Sequence, residues 1–430
     1  MKAAGYSTRT GRPEAVLFGL ADHGDQSAAA EVLSELGLLA DTGNFNVIGH
    51  VVQHRKHPDP HTYVGSGKLE ELAEVAAQTK AEVVICDESL SPTQGKNIEQ
   101  AVKVAVLDRS ELILHIFGIH ARTPQAKLQV ELARLQYQLP RLKRMWTHLE
   151  RQRGGIGVRG GAGEKQIDVD RTALRQQLTS IQRRLGEIQV RKSRQIRTRA
   201  NLFTIALVGY TNAGKSTLMN CLTSAGTLAE DRLFSTLDTL TRPWRMSGGR
   251  SVLLSDTVGF IRNLPHQLVA SFHATLEEAL EADLLLVLVD ASSPESIEQL
   301  ETVEVVLEQL GATSLPRIYV LNKTDALEDR SQLAGLLLRR PKAVCVSAKT
   351  GAGIEDLEQM ILEHLRGVER RVQIHIPHSR AALQAHVRHG ITVLAESYDD
   401  SGCTMDCLIS PRLLDELVGK GATVRDPAPD

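Results

Sequence analysis

Aromatic side chains, cysteines and long apolar runs are all scarce in this chain of 430 residues. Only 3% of the residues are aromatic, which favours aliphatic α/β cores over a β-sandwich. The five cysteines do not form the two closely spaced pairs of a zinc finger, and their odd number argues against a disulfide framework. The longest apolar run, LLLVLV at 284–289, is too short to span a bilayer and is typical of a buried parallel strand. The first residues also lack the apolar segment of a secretion signal, so we expect a cytoplasmic protein without a membrane span.

Charge is nearly balanced over the whole chain but unevenly distributed along it. The formal net charge is −2. Residues 121–200 hold 19 Lys and Arg against 6 Asp and Glu, a net of +13, so the remainder carries −15. A basic segment on an otherwise acidic protein is typical of a surface that binds a polyanion such as nucleic acid.

The sequence divides into four predicted segments. Residues 1–120 alternate four short apolar runs with helical patterns, which predicts an N-terminal α/β subdomain with a parallel sheet. Inside it, YVGSGKLEEL lacks the full spacing of a phosphate loop, and we interpret it as a turn leading into a helix. Residues 201–367 are predicted to form a P-loop G domain with a mixed, mostly parallel sheet. Residues 368–430 predict a small α+β module with a frayed tail, GATVRDPAPD. Its predicted strands are RVQIHIP, GITVLAESY and TMDCLIS, and its predicted helix is SRAALQAHVRH.

Residues 121–200 are predicted to form an antiparallel two-helix arm. Leucines and other apolar residues recur with spacings of three and four over 128–149 and again over 174–188. Pro140 lies inside the first stretch and is expected to kink the helix. The segment RQRGGIGVRGGAGEK joins the two stretches and places six glycines and four cations at the tip of the arm. We expect these cations to contact RNA, with a solvated linker as the alternative; they are Arg151, Arg153, Arg159 and Lys165.

The stretch GYTNAGKST matches a phosphate loop, directly after an apolar strand pattern and before a helix. Glycines in such a loop let backbone N–H groups converge on the β-phosphate at a helix N-terminus. Lys215 would neutralise the β- and γ-phosphates, and the Ser216 hydroxyl would bind Mg²⁺. The residues expected to bind nucleotide here are Gly209, Tyr210, Thr211, Asn212, Ala213, Gly214, Lys215, Ser216 and Thr217.

Two further segments are expected to face the γ-phosphate. In DTVG, Asp256 would hold the Mg²⁺ shell and the Gly259 N–H would contact the γ-phosphate. In LFSTLDTLTR, Thr236 is the favoured ligand of Mg²⁺ and the γ-phosphate, with Thr239 and Thr241 as alternatives. Lys215, Thr236 and Gly259 are therefore the candidate catalytic residues. The nucleotide contacts predicted in the two segments are Phe234, Ser235, Thr236, Leu237, Asp238, Asp256, Thr257, Val258 and Gly259.

Two motifs after later strand patterns select the base. The carboxylate of Asp325 in NKTD can accept from both N1–H and the N2 amine of guanine, and adenine lacks that pair of donors. In SAK, a backbone N–H is expected to contact the guanine O6. The residues concerned are Asn322, Lys323, Thr324, Asp325, Ser347, Ala348 and Lys349. Four motifs in this order predict an enzyme that binds GTP and GDP and hydrolyses GTP with Mg²⁺.

The arm and the nucleotide motifs together resemble the HflX branch of the Obg–HflX GTPases. The resemblance rests on ARTPQAKLQVELARLQYQLPRL, on RGGIGVRGGAGEKQIDVDR, and on FSTLDTLTR, which is similar to that family's first switch. It implies an N-terminal α/β subdomain, a helical hairpin, a G domain and binding to the large ribosomal subunit, with splitting or rescue of stalled or stressed ribosomes. It also implies that Thr236 and Ser216 are Mg²⁺ ligands. The family usually has Pro-Thr-Thr after the switch aspartate, whereas Asp238 here precedes Thr239, Leu240 and Thr241.

Phe260 follows DTVG where many GTPases have a glutamine that orients water. We therefore expect slow hydrolysis by the chain alone and completion of the site by the ribosome, with Gln267 as an alternative compensating group. Two other functions stay open from the sequence. One is a regulatory switch GTPase with a protein effector, and the other is an RNA-remodelling ATPase or GTPase that uses its N-terminal domain. The favoured interpretation is a monomer that associates in part with ribosomes through large-subunit rRNA.

Overall fold

The computed structural model describes residues 11–21, 26–152, 162–198, 203–223, 233–234, 240–247, 250–262, 280–327, 330–380, 391–409, 414, 417–419 and 421–425. The chain forms two compact units. The first consists of Met1–Ile188, Asp231–Asp238 and Asn263–His273, and the second of Gln189–Glu230, Thr239–Arg262 and Ala274–Asp430. The predicted domain boundaries near residues 120, 200 and 367 divide the chain more finely and stay predictions.

The first unit contains a four-stranded sheet. Its strands are β1 (Glu14–Ala21), β2 (Asn46–His54), β3 (Val83–Cys86) and β4 (Ala105–Leu107). They lie in the order β2-β1-β3-β4, and all three pairings are parallel, as predicted. The central strands read as continuous apolar runs because helices cover both faces of such a sheet. Phe18, Val84 and Cys86 are buried in the core on one side of it.

Four helices accompany this sheet, and the sequence patterns predict three of them. They are α1 (Gln26–Thr42), α2 (Ser66–Thr79), α3 (Pro92–Val102) and α4 (Arg109–His120). Helix α2 begins directly after Gly65, in agreement with the turn expected there. Helix α3 is the unpredicted one. Its buried residues are just two, Ile98 and Val102, which is too few for a clear helical pattern. A capping box starts it instead, in which Ser91 and Gln94 satisfy each other's backbone N–H groups.

A buried ion-pair cluster joins the elements of this unit. The Arg109 side chain, at 1% exposure, donates to Asp87 and to Glu35 at 2.7 Å each. The cluster ties the start of α4 to α1 and to the end of β3. Arginine suits this position because its planar group can bond two carboxylates at once.

The predicted two-helix arm is present as α5 (Pro124–Gln152) and α6 (Ala162–Thr198). Leu132 and Leu135 of α5 form a buried cluster with Ile181 of α6, and further leucines of the predicted stripes pack around it. Helix α5 continues through Pro140, so the proline does not end the helix. None of the helices within the described ranges is both long enough and apolar enough to cross a bilayer.

The second unit contains a six-stranded sheet. Its strands are β5 (Thr204–Gly209), β6 (Leu240–Arg245), β7 (Ser251–Asp256), β8 (Leu284–Asp290), β9 (Arg317–Asn322) and β10 (Val344–Cys345). The order is β10-β9-β8-β5-β7-β6, parallel except between β6 and β7, which confirms the mixed, mostly parallel sheet. Strand β8 carries the LLLVLV run, and all six of those residues are buried. The helices are α7 (Lys215–Thr223), α8 (Ser296–Gln309), α9 (Arg330–Arg339) and α10 (Ile354–Val368).

A second, antiparallel sheet follows in the C-terminal module. Its strands are β11 (Arg370–Pro377), β12 (Thr392–Tyr398), β13 (Gly402–Ile409) and β14 (Thr423–Arg425), in the order β12-β13-β11-β14. The first three are the predicted strands, whereas most of the predicted helix SRAALQAHVRH lies outside the described residues. The prediction of a frayed tail is wrong for β14. That strand pairs with β11, and Val424 packs against the core of the module.

Candidate functional site

The phosphate-loop motif forms the turn between β5 and α7. Strand β5 ends at Gly209 and α7 begins at Lys215, so the loop leads into a helix N-terminus. Gly209 is required by close packing, because a Cβ there would lie 2.4 Å from the carbonyl oxygen of Leu288. Gly214 has a φ of 89°, in the left-handed region that favours glycine. The local structure is therefore that of a phosphate loop.

The Lys215 side chain is buried within this loop, at 6% exposure. Its Nζ donates to the carbonyl oxygens of Tyr210 at 2.7 Å and Gly209 at 3.1 Å. Burial lowers the pKa of Lys215 to about 8, and the nearby carboxylate of Asp256 opposes that shift. The Lys215 ammonium is buried and bonded to two neutral carbonyl groups, so it is well placed to bind an anion such as a phosphate.

Ser216 and Asp256 lie together beneath the loop. Ser216 Oγ donates to Asp256 Oδ2 at 2.7 Å, and Asp256 is 1% exposed at the end of β7. Thr257 Oγ1 donates to the carbonyl oxygen of Leu207 at 2.7 Å and fixes the chain as it leaves that strand. No group of three or more His, Cys, Asp or Glu side chains in the described part of the chain could hold a metal. Of the predicted Mg²⁺ ligands, Ser216 and Asp256 are brought together, and Thr236 lies outside the described residues.

The segment after β7 packs against the phosphate loop through its backbone. The Phe260 N–H donates to the Gly209 carbonyl at 3.1 Å, and the Thr211 N–H donates to the Phe260 carbonyl at 2.7 Å. A Cβ added to Gly259 would lie 2.9 Å from both Lys215 Nζ and Thr211 Cα, so a side chain does not fit there. Phe260 is 2% exposed and offers no polar group to a water molecule. Gln267, the alternative compensating group, lies outside the described residues.

Asn322 connects the phosphate loop to both base-selecting motifs. Its Nδ2 donates to the carbonyl oxygen of Ala213 at 2.8 Å, and its Oδ1 accepts from the N–H of Ala348 at 3.0 Å. Asn322 ends β9 and is 1% exposed. These two hydrogen bonds make Asn322 a tether, since they tie three loops to one side chain.

Asp325 is exposed, and a serine holds its carboxylate. Ser347 Oγ donates to Asp325 Oδ1 at 2.6 Å, and this hydrogen bond is the main cause of a lowered pKa for Asp325. The carboxylate is therefore ionised at neutral pH, as an acceptor for guanine N1–H and N2 must be. Lys323 forms an ion pair with Asp290 at 2.7 Å beside it.

Asp290 was not among the predicted site residues. It ends β8 and pairs in register with Asn322 of the neighbouring parallel strand. The available signal was its position, since an Asp directly after a buried apolar run lies at the same sheet edge as the other motifs.

The other predicted contacts lie in these same loops. Tyr210, Ala213, Val258 and Ala348 are buried there, and Asn212, Thr217, Thr324 and Lys349 are exposed or partly exposed.

Only part of the predicted first switch is described. Ser235, Leu237, Asp238 and Thr239 lie outside the described residues, as Thr236 does. Phe234 is buried, and its ring packs edge-on against Phe117 at 4.7 Å between centroids. Thr241 lies in β6, where its hydroxyl is 3.2 Å from that of Ser255. Thr236 thus stays the predicted switch threonine.

The predicted RNA contacts lie at the tip of the arm. Arg153 and Arg159 lie outside the described residues. Arg151 falls near the end of α5 and Lys165 near the start of α6. Their roles in binding RNA stay predictions.

Three family models match successive parts of the chain. A "GTP-binding GTPase N-terminal" model matches residues 30–118, and a "GTP-binding GTPase Middle Region" model matches residues 120–199. A model described as "50S ribosome-binding GTPase" matches residues 204–323, which include the phosphate loop, DTVG and the first two residues of NKTD.

Curated relatives match nearly the whole chain. GTPase HflX of Magnetococcus marinus is 43% identical over 399 residues, 92% of each chain. GTPase HflX of Escherichia coli is 43% identical over 363 residues, 84% of this chain and 85% of the relative. Among solved structures, a GTP-binding protein from Sulfolobus solfataricus in complex with GDP is 25% identical. That match covers 82% of this chain and 98% of the other, with a TM-score of 0.45.

Proposed function

The chain belongs to the HflX family of GTPases and hydrolyses GTP, and from that premise we propose that it binds the large ribosomal subunit and splits or rescues stalled ribosomes. The observation that carries this proposal is the basic arm, with its net charge of +13 over residues 121–200. The family that matches residues 204–323, the 50S ribosome-binding GTPases, supports the same partner.

The described part of the arm supports binding to a polyanion. The apolar stripe of α6 is directed into the cluster with α5, which leaves the polar face of α6 to solvent. Arg175, Arg183 and Arg184 are exposed on that helix. Arg183 lies 3.9 Å from Glu187 in an exposed pair, which is too weak to neutralise the surface. These cations are therefore available to phosphates of rRNA.

The tip of the arm is the part proposed to enter folded RNA. Arg151, Arg153, Arg159 and Lys165 are distributed among six glycines. Glycine permits a close approach of the backbone to an irregular surface, and arginine can bond phosphates and stack on bases. The tip thereby combines positive charge with small side chains, which suits a contact inside folded rRNA.

The nucleotide site has the residues to hold Mg²⁺ with GTP. The Ser216 hydroxyl and the Asp256 carboxylate are hard oxygen donors 2.7 Å apart, and Thr236 is proposed as the third contributor. When bound, Mg²⁺ neutralises negative charge on the β- and γ-phosphates. Lys215 and the loop N–H groups supply the remaining positive charge. Because Phe260 cannot orient water, we expect the ribosome to accelerate hydrolysis by about 10³- to 10⁵-fold, the range for a supplied catalytic element.

The proposal is tested by measuring binding to purified large subunits over a series of salt concentrations. Binding in the presence of a non-hydrolysable GTP analogue should weaken steeply with salt. The double variant Arg153→Ala, Arg159→Ala should flatten the log–log slope by about 1.5, since each lost phosphate contact removes about 0.7–0.9. An unchanged slope would show that these arginines do not contact phosphate.

Lys56→Ala with Lys342→Ala is the matched control, because it removes two exposed cations outside the arm. Its slope should equal that of the unaltered chain. Absence of any binding to large subunits by the unaltered chain would contradict the proposed function itself. It would favour a switch GTPase with a protein effector.

A further inference from the structure

Thr211 is the third residue of the phosphate loop, and its hydroxyl is unusual within the site. The residue is 6% exposed, and Thr211 Oγ1 is buried without a hydrogen-bond partner among the described residues. The neighbouring hydroxyls do have partners. Ser216 donates to Asp256, and Thr257 donates to a strand carbonyl. Thr211 therefore differs from them in a property that points to a ligand.

A buried hydroxyl without a partner is costly. Such a group loses its hydrogen bonds to water and gains none in return, at a cost of about 1–3 kcal/mol. Valine has nearly the shape of threonine and lacks the hydroxyl, so packing alone would favour valine here. Buried polar atoms without a partner occur where a bound group completes them.

Gly259, Lys215 and Phe260 all lie beside Thr211. A Cβ built on Gly259 would lie 2.9 Å from Thr211 Cγ2, from Thr211 Cα and from Lys215 Nζ. The Thr211 backbone is fixed to the second segment by its N–H bond to the Phe260 carbonyl. In P-loop GTPases the loop lysine contacts the β- and γ-phosphates. Thr211 thus borders the space in which the γ-phosphate and the attacking water must lie.

The position after DTVG, where many GTPases have a water-orienting glutamine, offers no polar side chain here. Phe260 is buried and apolar, and Gly259 has no side chain. A threonine hydroxyl can accept one hydrogen bond while it donates another. It could therefore accept from the attacking water and donate to an oxygen of the γ-phosphate at the same time.

We infer that Thr211 is a catalytic residue of GTP hydrolysis, whose hydroxyl orients the attacking water against the γ-phosphate. The water oxygen forms a bond to the γ-phosphorus. The bond from that phosphorus to the bridging oxygen breaks, and its electron pair stays on the GDP leaving group. One water proton passes to a γ-phosphate oxygen, which gives inorganic phosphate, and the threonine is unchanged. This role rests on GTP hydrolysis and not on the ribosome as partner.

The test is steady-state hydrolysis of GTP by the full chain without ribosomes, measured over a range of GTP concentrations, with Thr211→Val and Thr211→Ser. Thr211→Val should lower the rate constant by about 10- to 100-fold at saturating GTP, in the lower range for one positioned polar group. Thr211→Ser should stay within about threefold of the unaltered chain, because it keeps the hydroxyl. Affinity for GDP should change by less than about twofold in both variants, since GDP lacks the γ-phosphate.

Loss of folding should not explain a lower rate in Thr211→Val. Replacement of a partnerless buried hydroxyl by a methyl group should leave the melting temperature unchanged or raise it. Thr302→Val is the control, because Thr302 bonds its own helix on an exposed surface; its rate should equal that of the unaltered chain. The inference is overturned if Thr211→Val hydrolyses GTP at the full rate. It is also overturned if Thr211→Val and Thr211→Ser are slowed equally, or if saturating GTP restores the rate of the valine variant.

Discussion

Removal of the Asn322 side chain should weaken guanine nucleotide binding strongly. In Asn322→Ala, the carbonyl of Ala213 loses its donor and the N–H of Ala348 loses its acceptor, from hydrogen bonds of 2.8 and 3.0 Å. Each backbone group is left unsatisfied inside a buried site, at about 1–3 kcal/mol, so the total cost is about 2–6 kcal/mol. Because about 1.4 kcal/mol corresponds to tenfold in affinity, GDP would bind at least about 30-fold more weakly if binding carried the whole cost.

The assay combines two measurements on the same variant. Isothermal titration with GDP gives the loss of affinity, and urea unfolding of the nucleotide-free chain gives the loss of stability. The predicted cost is divided between the two, since the unsatisfied groups affect both the loops and the fold. Asn97→Ala is the matched control, because it deletes one hydrogen bond to a backbone carbonyl at an exposed site. It should cost less than about 1 kcal/mol and leave GDP affinity unchanged. If Asn322→Ala binds GDP within threefold and unfolds at the same urea concentration, the three loops do not depend on this side chain.

Two further predictions concern the base and the phosphates. Asp325→Asn should lower GDP affinity by about 100-fold or more, because an amide cannot accept from both N1–H and the N2 amine of guanine. Titration with GDP and ADP would show the loss of selectivity, and an unchanged preference for GDP would exclude Asp325 as the guanine reader. Lys215, with its pKa lowered to about 8 by burial, is partly neutral above that pH in the nucleotide-free chain. A bound phosphate favours the ammonium, so GDP binding should take up a proton and weaken as pH rises above 8. Folding has the opposite pH dependence: the unfolded chain keeps its proton up to about pH 10.5, so the nucleotide-free fold should gain stability between pH 8 and 10.5. Calorimetry at pH 9 in two buffers of different ionisation enthalpy would detect the uptake, and equal heats would contradict it.

The parallel strands and the phosphate loop could be predicted because their signals are local. Strand β8 is a continuous apolar run, which is the pattern of a strand buried on both faces. The motif from Gly209 to Ser216 specifies its own turn, since glycines at fixed positions meet needs of the backbone. In such places the local sequence pattern is enough to predict the element.

The features that the sequence did not reveal depend on partners far along the chain. Strand β14 forms because residues near 424 find an open edge of β11, which no local pattern indicates. Helix α3 buries two apolar residues, Ile98 and Val102, and a capping box of Ser91 and Gln94 starts it. Arg109 reads as a surface residue, yet Asp87 and Glu35 make its burial possible.

The candidate site shows the same contrast between local sequence signals and contacts made far along the chain. The spacing of the motifs predicts which residues are near the nucleotide, and their contacts require the fold. The two hydrogen bonds of Asn322 join positions more than 100 residues apart on one side and 26 on the other. The ring contact of Phe234 with Phe117, and the Thr211 hydroxyl that has no partner within the described part of the chain, are likewise visible only after packing.

The most direct measurement of the proposed function is sedimentation of the purified chain with separated ribosomal subunits. The chain should be tested with GDP, with GTP and with a non-hydrolysable GTP analogue. We predict that it pellets with the large subunit when a triphosphate is bound and stays in the supernatant with GDP. Equal recovery in every nucleotide state, or no recovery with the large subunit, would contradict the proposal that GTP controls binding to the ribosome.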